Sequence, residues 1–280
     1  MRPSPAKITA LVELGVRHGW LERLEAPLAA ARVLFPESAA VLCAAARLLS
    51  ARGDREQAIT VLRAAIEGDR DHPEATHALG VELSSRGPSE EGVELLARAS
   101  ALSPSDPQRA IDLLVAERQA PRWSDAERRE RHTSFGLRFC QVARWTPPLA
   151  APRLDGRRLR VGYLLAGSPG EPLDPAVLTL LRHRDREALE VSVYVSGVAA
   201  TGLDELRALE VAVHDLGPLR DEDAALRIAS DGLDVLVLIV AASGAPRLRI
   251  AAHRPARVIA AYRGFPASLG VPAVRFRIMD

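Results

Sequence analysis

The sequence predicts two fold classes in one chain: an all-α solenoid over residues 5–120, then a parallel α/β domain over residues 158–280. Three observations carry this. The first part matches itself at an offset of 34 residues. The last part switches to short apolar runs rich in β-branched residues, separated by helical segments. Between them the stretch TPPLAAPRLDGRR is dense in proline and breaks the helical pattern, so residues 121–157 read as a helical linker with the domain boundary near Gly156.

The offset of 34 places Gly19, Gly53 and Gly87 in one column, Leu28, Leu62 and Leu96 in a second, and Ala31, Ala65 and Ala99 in a third. A fourth column holds Pro36, Arg70 and Pro104. The pattern is that of the tetratricopeptide repeat (TPR), with units 5–38, 39–72 and 73–106. Each column has a physical reason. The glycine sits in the turn between helix A and helix B, where the backbone must leave helical geometry. The small residues let helix B lie close to its neighbour. The proline ends helix B because it cannot donate the next helical hydrogen bond. Two residues depart from the pattern: Pro27 is expected to kink helix B of the first unit or delay its start, and Arg70 replaces the terminating proline of the second. Asp106-Pro107 then restarts a helix that can cap the open end of the stack. A solenoid of this kind presents a groove suited to a polypeptide, and the repeat by itself does not say which.

Ser124-x-x-Glu127 is a capping-box pattern that opens a charged helix. Its run Arg128, Arg129, Glu130, Arg131 reads as a solvated face in preference to a phosphate patch, because acids are interspersed. Beyond Gly156 the strands LRVGYLLA, EVSVYVS, LDVLVLIVA and, less clearly, RVIAAY alternate with helices over 175–184, 203–209, 222–230 and 247–253. This is the βαβ alternation of a Rossmann-like parallel sheet covered on both faces. Leu233 to Val240 is apolar apart from Asp234, as a central strand should be. AGSPGEPL, read as a loop, follows the first strand at its carboxyl end, where open α/β sheets bind ligands. It is neither a dinucleotide fingerprint nor a phosphate-binding loop.

Composition narrows the classes further. Hydrophobic content is 48% and net charge +1, which indicates a folded chain with no electrostatic pull towards nucleic acid or a membrane surface. The longest apolar run, Val235 to Ala242, is far short of the ~20 residues that span a bilayer, and the N-terminus lacks a signal-peptide core. Cys43 and Cys140 have no partner spacing, which speaks against a zinc ribbon or disulfide scaffold and fits a reducing, cytoplasmic setting. No histidine pair has metal-ligand spacing, so no metal is expected. The excess of Ala, Leu and Arg reads as the mark of a GC-rich genome. Nothing in the composition speaks to oligomeric state.

Residues 158–280 resemble the first half of the catalytic region of SPINDLY-like peptide O-GlcNAc transferases, which also carry TPRs upstream. The stretches that match are LRVGY (159–163), DREALEVSVY (185–194), DGLDVLV (231–237), RLRIAAHRPARV (247–258), GFPASLGVPA (264–273) and the final RFRIMD. The resemblance implies a partial GT-B-type architecture, a lobe contributing acceptor-side contacts, and TPRs that guide an acceptor protein. It implies UDP-GlcNAc as donor substrate, if the chain is part of a longer protein, and no other cofactor. It implies transfer of N-acetylglucosamine to a Ser or Thr hydroxyl, which needs a proton-accepting or orienting group and stabilisation of the departing diphosphate.

On both counts the aligned residues differ from the family. Where the family keeps a histidine before proline, in DFRRHPVG, this chain has Glu171 before Pro172. Where it keeps the histidine of DLAGHT, this chain has Ala242, and the acidic position is Leu238. Glu171 is the catalytic candidate, set against a solvated loop glutamate as the favoured reading. Arg247, Gly264 and Pro266 are the substrate-binding candidates; Arg247 is expected to serve structure before it serves a phosphate. The chain as given reaches Asp280 within the first lobe and is expected not to transfer GlcNAc by itself. The alternative is a non-catalytic TPR adaptor whose α/β domain is a docking surface.

Overall fold

A computed structural model describes residues 4–119, 123–141, 156–241, 247–264 and 270–278. The chain divides into two compact units, residues 1–124 and 125–280.

The first unit is a run of helices: α1 (Pro5–Arg17), α2 (Leu21–Leu34), α3 (Ala39–Ala51), α4 (Arg55–Gly68), α5 (Pro73–Ser84), α6 (Glu90–Leu102) and α7 (Pro107–Gln119). The A helices therefore start at 5, 39, 73 and 107, each 34 residues after the last. The expected turn glycines all have left-handed backbones, with φ of 71° at Gly19, 89° at Gly53 and 129° at Gly87. The leucine and alanine columns are fully interior. Each fourth-column residue, Arg70 included, stands two residues past its helix: α2, α4 and α6 end at Leu34, Gly68 and Leu102. The stop at the second unit is thus made without proline. Pro27 does not delay α2, which starts at Leu21 and continues through it to Leu34. At Pro27 the helix forgoes the hydrogen bond that a proline cannot donate. Close approach between partner helices also needs glycine. A Cβ on Gly80 would lie 2.8 Å from Leu96 Cγ, so α5 and α6 meet with no room for a side chain there.

Nothing lies within 4 Å of a Cβ built on Gly53, so only its backbone angle restricts substitution. Gly53→Ala is expected to cost about 1–2 kcal/mol through the left-handed conformation alone. A urea titration followed by helical circular dichroism measures this; an unchanged midpoint would show that the turn tolerates a side chain.

The second unit opens with α8 (Asp125–Phe139), which the sequence placed in a linker. Gly136 of α8 packs directly on the backbone of Gly270. The six-stranded sheet follows: β1 (Leu159–Glu171), β2 (Leu189–Val198), β3 (Ala212–Asp215), β4 (Val235–Val240), β5 (Val258–Gly264) and β6 (Phe276–Ile278). Its order is β3-β2-β1-β4-β5-β6 and every pairing is parallel. Helices α9 (Pro175–Arg182), α10 (Ala200–Arg207), α11 (Asp221–Ser230) and α12 (Arg249–Ala252) connect the strands. The two central strands, β1 and β4, are buried on alternate sides. Val161, Tyr163, Leu165, Val237 and Ile239 share one core with Val177 and Leu181 of α9 and Leu206 of α10. The intervening Leu164, Leu236 and Leu238 are equally buried. This two-sided burial is why both strands read as continuous apolar runs.

Two features differ from the expectation. β3 and β6 were not foreseen as strands. AGSPGEPL is not a free loop either: β1 continues through it. Ala166 pairs with Ser196 and Glu171 with Val198, so residues 167–170 bulge opposite the single residue Gly197. The extra length is absorbed by the bulge, and strand pairing resumes at Glu171.

Candidate functional site at the carboxyl edge of the sheet

The strand order reverses between β1 and β4. The β1–α9–β2 and β2–α10–β3 crossovers run to one side, and β4, β5 and β6 extend to the other. The connections therefore diverge above the carboxyl ends of β1 and β4 and leave a crevice, the position at which open α/β sheets bind ligands. A cavity of about 170 Å³ occupies it. Leu165 and Ala166 of β1, Ile239 of β4, Val198 of β2 and Val177 of α9 form apolar walls, and Pro172 and Asp174 complete the rim. Asp174 Oδ1 accepts the N–H of Ala176 at 2.9 Å, capping α9, whose positive dipole end thus lies at the crevice. Among the described lining residues, Asp174 is the one that ionises. The crevice can take a neutral or apolar group beside a polar helix end.

Two of the sequence candidates, Glu171 and Gly264, fall on this edge. Glu171 is the last residue of β1, its backbone paired with Val198. Gly264 ends β5, paired with Val240 at the end of β4. Leu238 is interior to β4, within the core. Pro266 and Ala242 lie outside the described residues. Arg247 opens the segment leading into α12, and its guanidinium is engaged inside the unit. Nη1 donates to Leu219 O at 2.9 Å and to Asp221 Oδ1 at 2.8 Å, and Nη2 donates to Leu216 O at 2.7 Å. It ties the β3–α11 connection to the chain that follows β4.

Two polar clusters were not legible beforehand. Asp234, 7% exposed, sits just ahead of β4. Arg157 donates to both its carboxylate oxygens, at 2.8 and 2.7 Å, and the Arg160 N–H donates at 2.9 Å. Chiefly through the Arg157 bonds, its pKa lies below the ordinary carboxylate value. The signal was present: Asp234 is the one acid in an apolar run. The second cluster lies towards the same amino-terminal edge of the sheet, away from the crevice. Tyr194 Oη donates to Asp231 Oδ2 at 2.6 Å, and the phenol stacks on His214 with centroids 5.0 Å apart. Burial, then the Asp231 bond, raises the Tyr194 pKa; burial, then Arg227, lowers that of His214. No sequence signal marked this cluster, because its members come from β2, β3 and α11 and meet only in the fold.

On the solenoid the A helices carry a ladder of polar contacts between units. Glu74 of α5 is within 3.0 Å of Arg47 of α3 and 3.3 Å of Arg109 of α7. His77 of α5 meets Asp112 of α7 at 2.9 Å, and Ser50 of α3 donates to Glu82 of α5. Burial pushes the Cys43 thiol up to about 12 and the Cys140 thiol up to about 11, which keeps both protonated and poor nucleophiles. Among the described residues, no group of three or more His, Cys, Asp or Glu side chains could hold a metal ion, and no helix is long and apolar enough to cross a membrane.

Solenoid and reversed parallel sheet together define a class, a TPR array joined to a Rossmann-like lobe with a crevice at the carboxyl edge of its sheet. Within that class the chain is O-GlcNAc-transferase-like. It is similar to the Thermobaculum terrenum O-GlcNAc transferase, solved as a mutant, with a TM-score of 0.82 and 26% identity over 99% of this chain and 54% of that one. It is 27% identical over 173 residues to a protein of Hordeum vulgare described as a probable UDP-N-acetylglucosamine–peptide N-acetylglucosaminyltransferase SPINDLY. It is 27% identical over 141 residues to the Caenorhabditis elegans UDP-N-acetylglucosamine–peptide N-acetylglucosaminyltransferase. These matches cover 60% and 48% of the chain, which itself spans only 18% and 12% of those two proteins. No family profile matches the sequence.

Proposed function

We propose that this chain is the recognition portion of a protein O-GlcNAc transferase lineage. Its solenoid binds a polypeptide, and its sheet edge supplies the acceptor side of a site that moves N-acetylglucosamine from UDP-GlcNAc to Ser or Thr. The observation that carries this is the occurrence of the 34-residue helical repeat and the β3-β2-β1-β4-β5-β6 sheet in one chain, a combination matched over 99% of this sequence in a solved transferase. As given, the chain holds acceptor without turning it over. Support comes from the described crevice lining, which is apolar except for the capping Asp174, and from Glu171 and Ala242 standing where the family keeps imidazoles.

The test combines two readouts on the chain as it stands: polarisation of a labelled Ser/Thr-rich peptide, and incorporation of labelled GlcNAc from UDP-GlcNAc into it. Saturable peptide binding, weakened at least 10-fold by the double substitution Arg47→Ala and His77→Ala, with no label above the enzyme-free control, is the expected result. Label incorporation that disappears on Glu171→Ala would overturn the non-catalytic reading and make Glu171 the base. Absence of peptide binding would overturn the recognition role. The apolar lining of the crevice also suits an adaptor; binding of a partner abolished by changes at Val177 or Val198, with the solenoid variants unaffected, would favour it.

A further inference from the structure

The repeat supplies its own control, because successive gaps between B helices are built from corresponding positions 34 residues apart. In the gap bounded by α2, α3 and α4 lies a cavity of about 400 Å³, a size that holds a small organic molecule. Leu28 of α2, Ala45, Leu48 and Leu49 of α3 and Val61 of α4 give it apolar walls. In the gap bounded by α4, α5 and α6, larger residues stand at two of these positions: Leu79 corresponds to Ala45 and Leu95 to Val61. Ala29 of α2 and Gln57 of α4 also line the cavity, and their counterparts are Arg63 and Glu91, which pair across the second gap at 2.8 Å. The first gap therefore lacks both the leucine and the ion pair that occupy the corresponding places in the second.

The rim gives this cavity a charge. Arg52 donates to Leu21 O at 3.3 Å and pairs with Glu25, so that couple is neutral. Arg32 is exposed beside them in the lining and makes no hydrogen bond or ion pair among the described residues. Its counterpart in the next unit is the apolar Ile66. One unpaired guanidinium at the mouth of an apolar cavity suits a carboxylate carried on an apolar body. The planar fork can donate two parallel hydrogen bonds to the carboxylate, and the aliphatic walls take the rest of the molecule out of water.

We propose that the cavity between α2, α3 and α4 binds a free aliphatic carboxylate, its chain against Leu28, Ala45, Leu48, Leu49 and Val61 and its head on Arg32. The walls belong to two successive units, so a bound molecule stabilises their packing. None of these residues belongs to the polar ladder of the A helices, so the proposal stands whether or not the groove takes a peptide.

The probe is octanoate, titrated calorimetrically into the intact chain, with octanol as the uncharged control. Saturable octanoate binding is expected, at least 10-fold tighter than that of octanol. Arg32→Ala should weaken it at least 5-fold, and Ala45→Leu, which installs the residue α5 carries at this register, at least 10-fold. Ala45 is only 3% exposed, so a second variant changes the rim instead. Ala29→Arg with Gln57→Glu, both at exposed positions, copies the pair that bridges α4 and α6; it should weaken octanoate at least 10-fold and leave the helical circular dichroism unchanged. No saturable octanoate binding, or binding that ignores Arg32→Ala and the double variant, overturns the proposal. Octanol binding as tightly as octanoate overturns the anionic head. Tighter binding of the peptide acetyl-Gly-Gly-Leu than of octanoate gives the cavity to a polypeptide terminus and overturns the free ligand.

Discussion

Replacing Gly136 by alanine is expected to destabilise the α/β unit by about 3 kcal/mol or more, one of the two largest effects in the molecule. A methyl at this position would be driven into the carbonyl of Gly270. The obstacle is backbone, so it cannot rotate away as the end of a side chain could. Overpacking of this kind costs about 1–3 kcal/mol when side chains yield, and more when they cannot. Gly270→Ala should be at least as harmful. Its φ is +62°, a left-handed conformation, and its Cβ would strike the carbonyl of His132 one turn earlier in α8. Because both changes disrupt one contact, the double variant should fall well short of the sum. Chemical denaturation monitored at the α/β unit checks this. If both single variants unfold within about 0.5 kcal/mol of the parent, the docking of α8 on the segment at Gly270 is wrong, and with it the assignment of α8 to this unit.

Removing the carboxylate of Asp234 should cost about 2–4 kcal/mol, since a nearly buried group loses a two-pronged arginine bond and a backbone donor together. The variant Asp234→Ala leaves the Arg160 N–H without its acceptor at the start of β1; Asp234→Asn, which keeps one acceptor, should lose less. The pH dependence has a definite sign. The folded-state pKa of Asp234 is lowered, first by the Arg157 bonds. Its stabilisation is therefore complete above the unfolded pKa of about 3.9 and disappears as pH falls from there through the lower folded value. The parent should lose stability over that acid window, and Asp234→Ala should show a flatter profile there. Equal profiles for both proteins would mean that Arg157 and Asp234 do not form the pair in solution.

Much of the solenoid was legible because its signals are local and periodic. Gly19, Gly53 and Gly87 could be placed in turns from spacing alone, since only glycine enters the left-handed region cheaply, and the Leu28, Leu62 and Leu96 column repeats one packing environment three times. β1 and β4 were equally plain: strands buried on both faces need unbroken apolar residues. The candidate crevice followed in outline, because alternating strands and helices place loops at the carboxyl edge.

What the sequence determined by itself was the repeat, its turns, the central strands and the family likeness. What the tertiary structure decided depended on partners distant in the chain. β3 and β6 are four and three residues long. The exposed β6 carries no burial alternation, so both become strands only by hydrogen bonding to β2 and β5. The stretch AGSPGEPL reads as a loop from its glycines and prolines, and the β2 edge draws it back into the sheet as a bulge. α8 falls in the stretch whose prolines read as a helical linker, and a glycine-to-glycine contact across 134 residues seats it in the second unit.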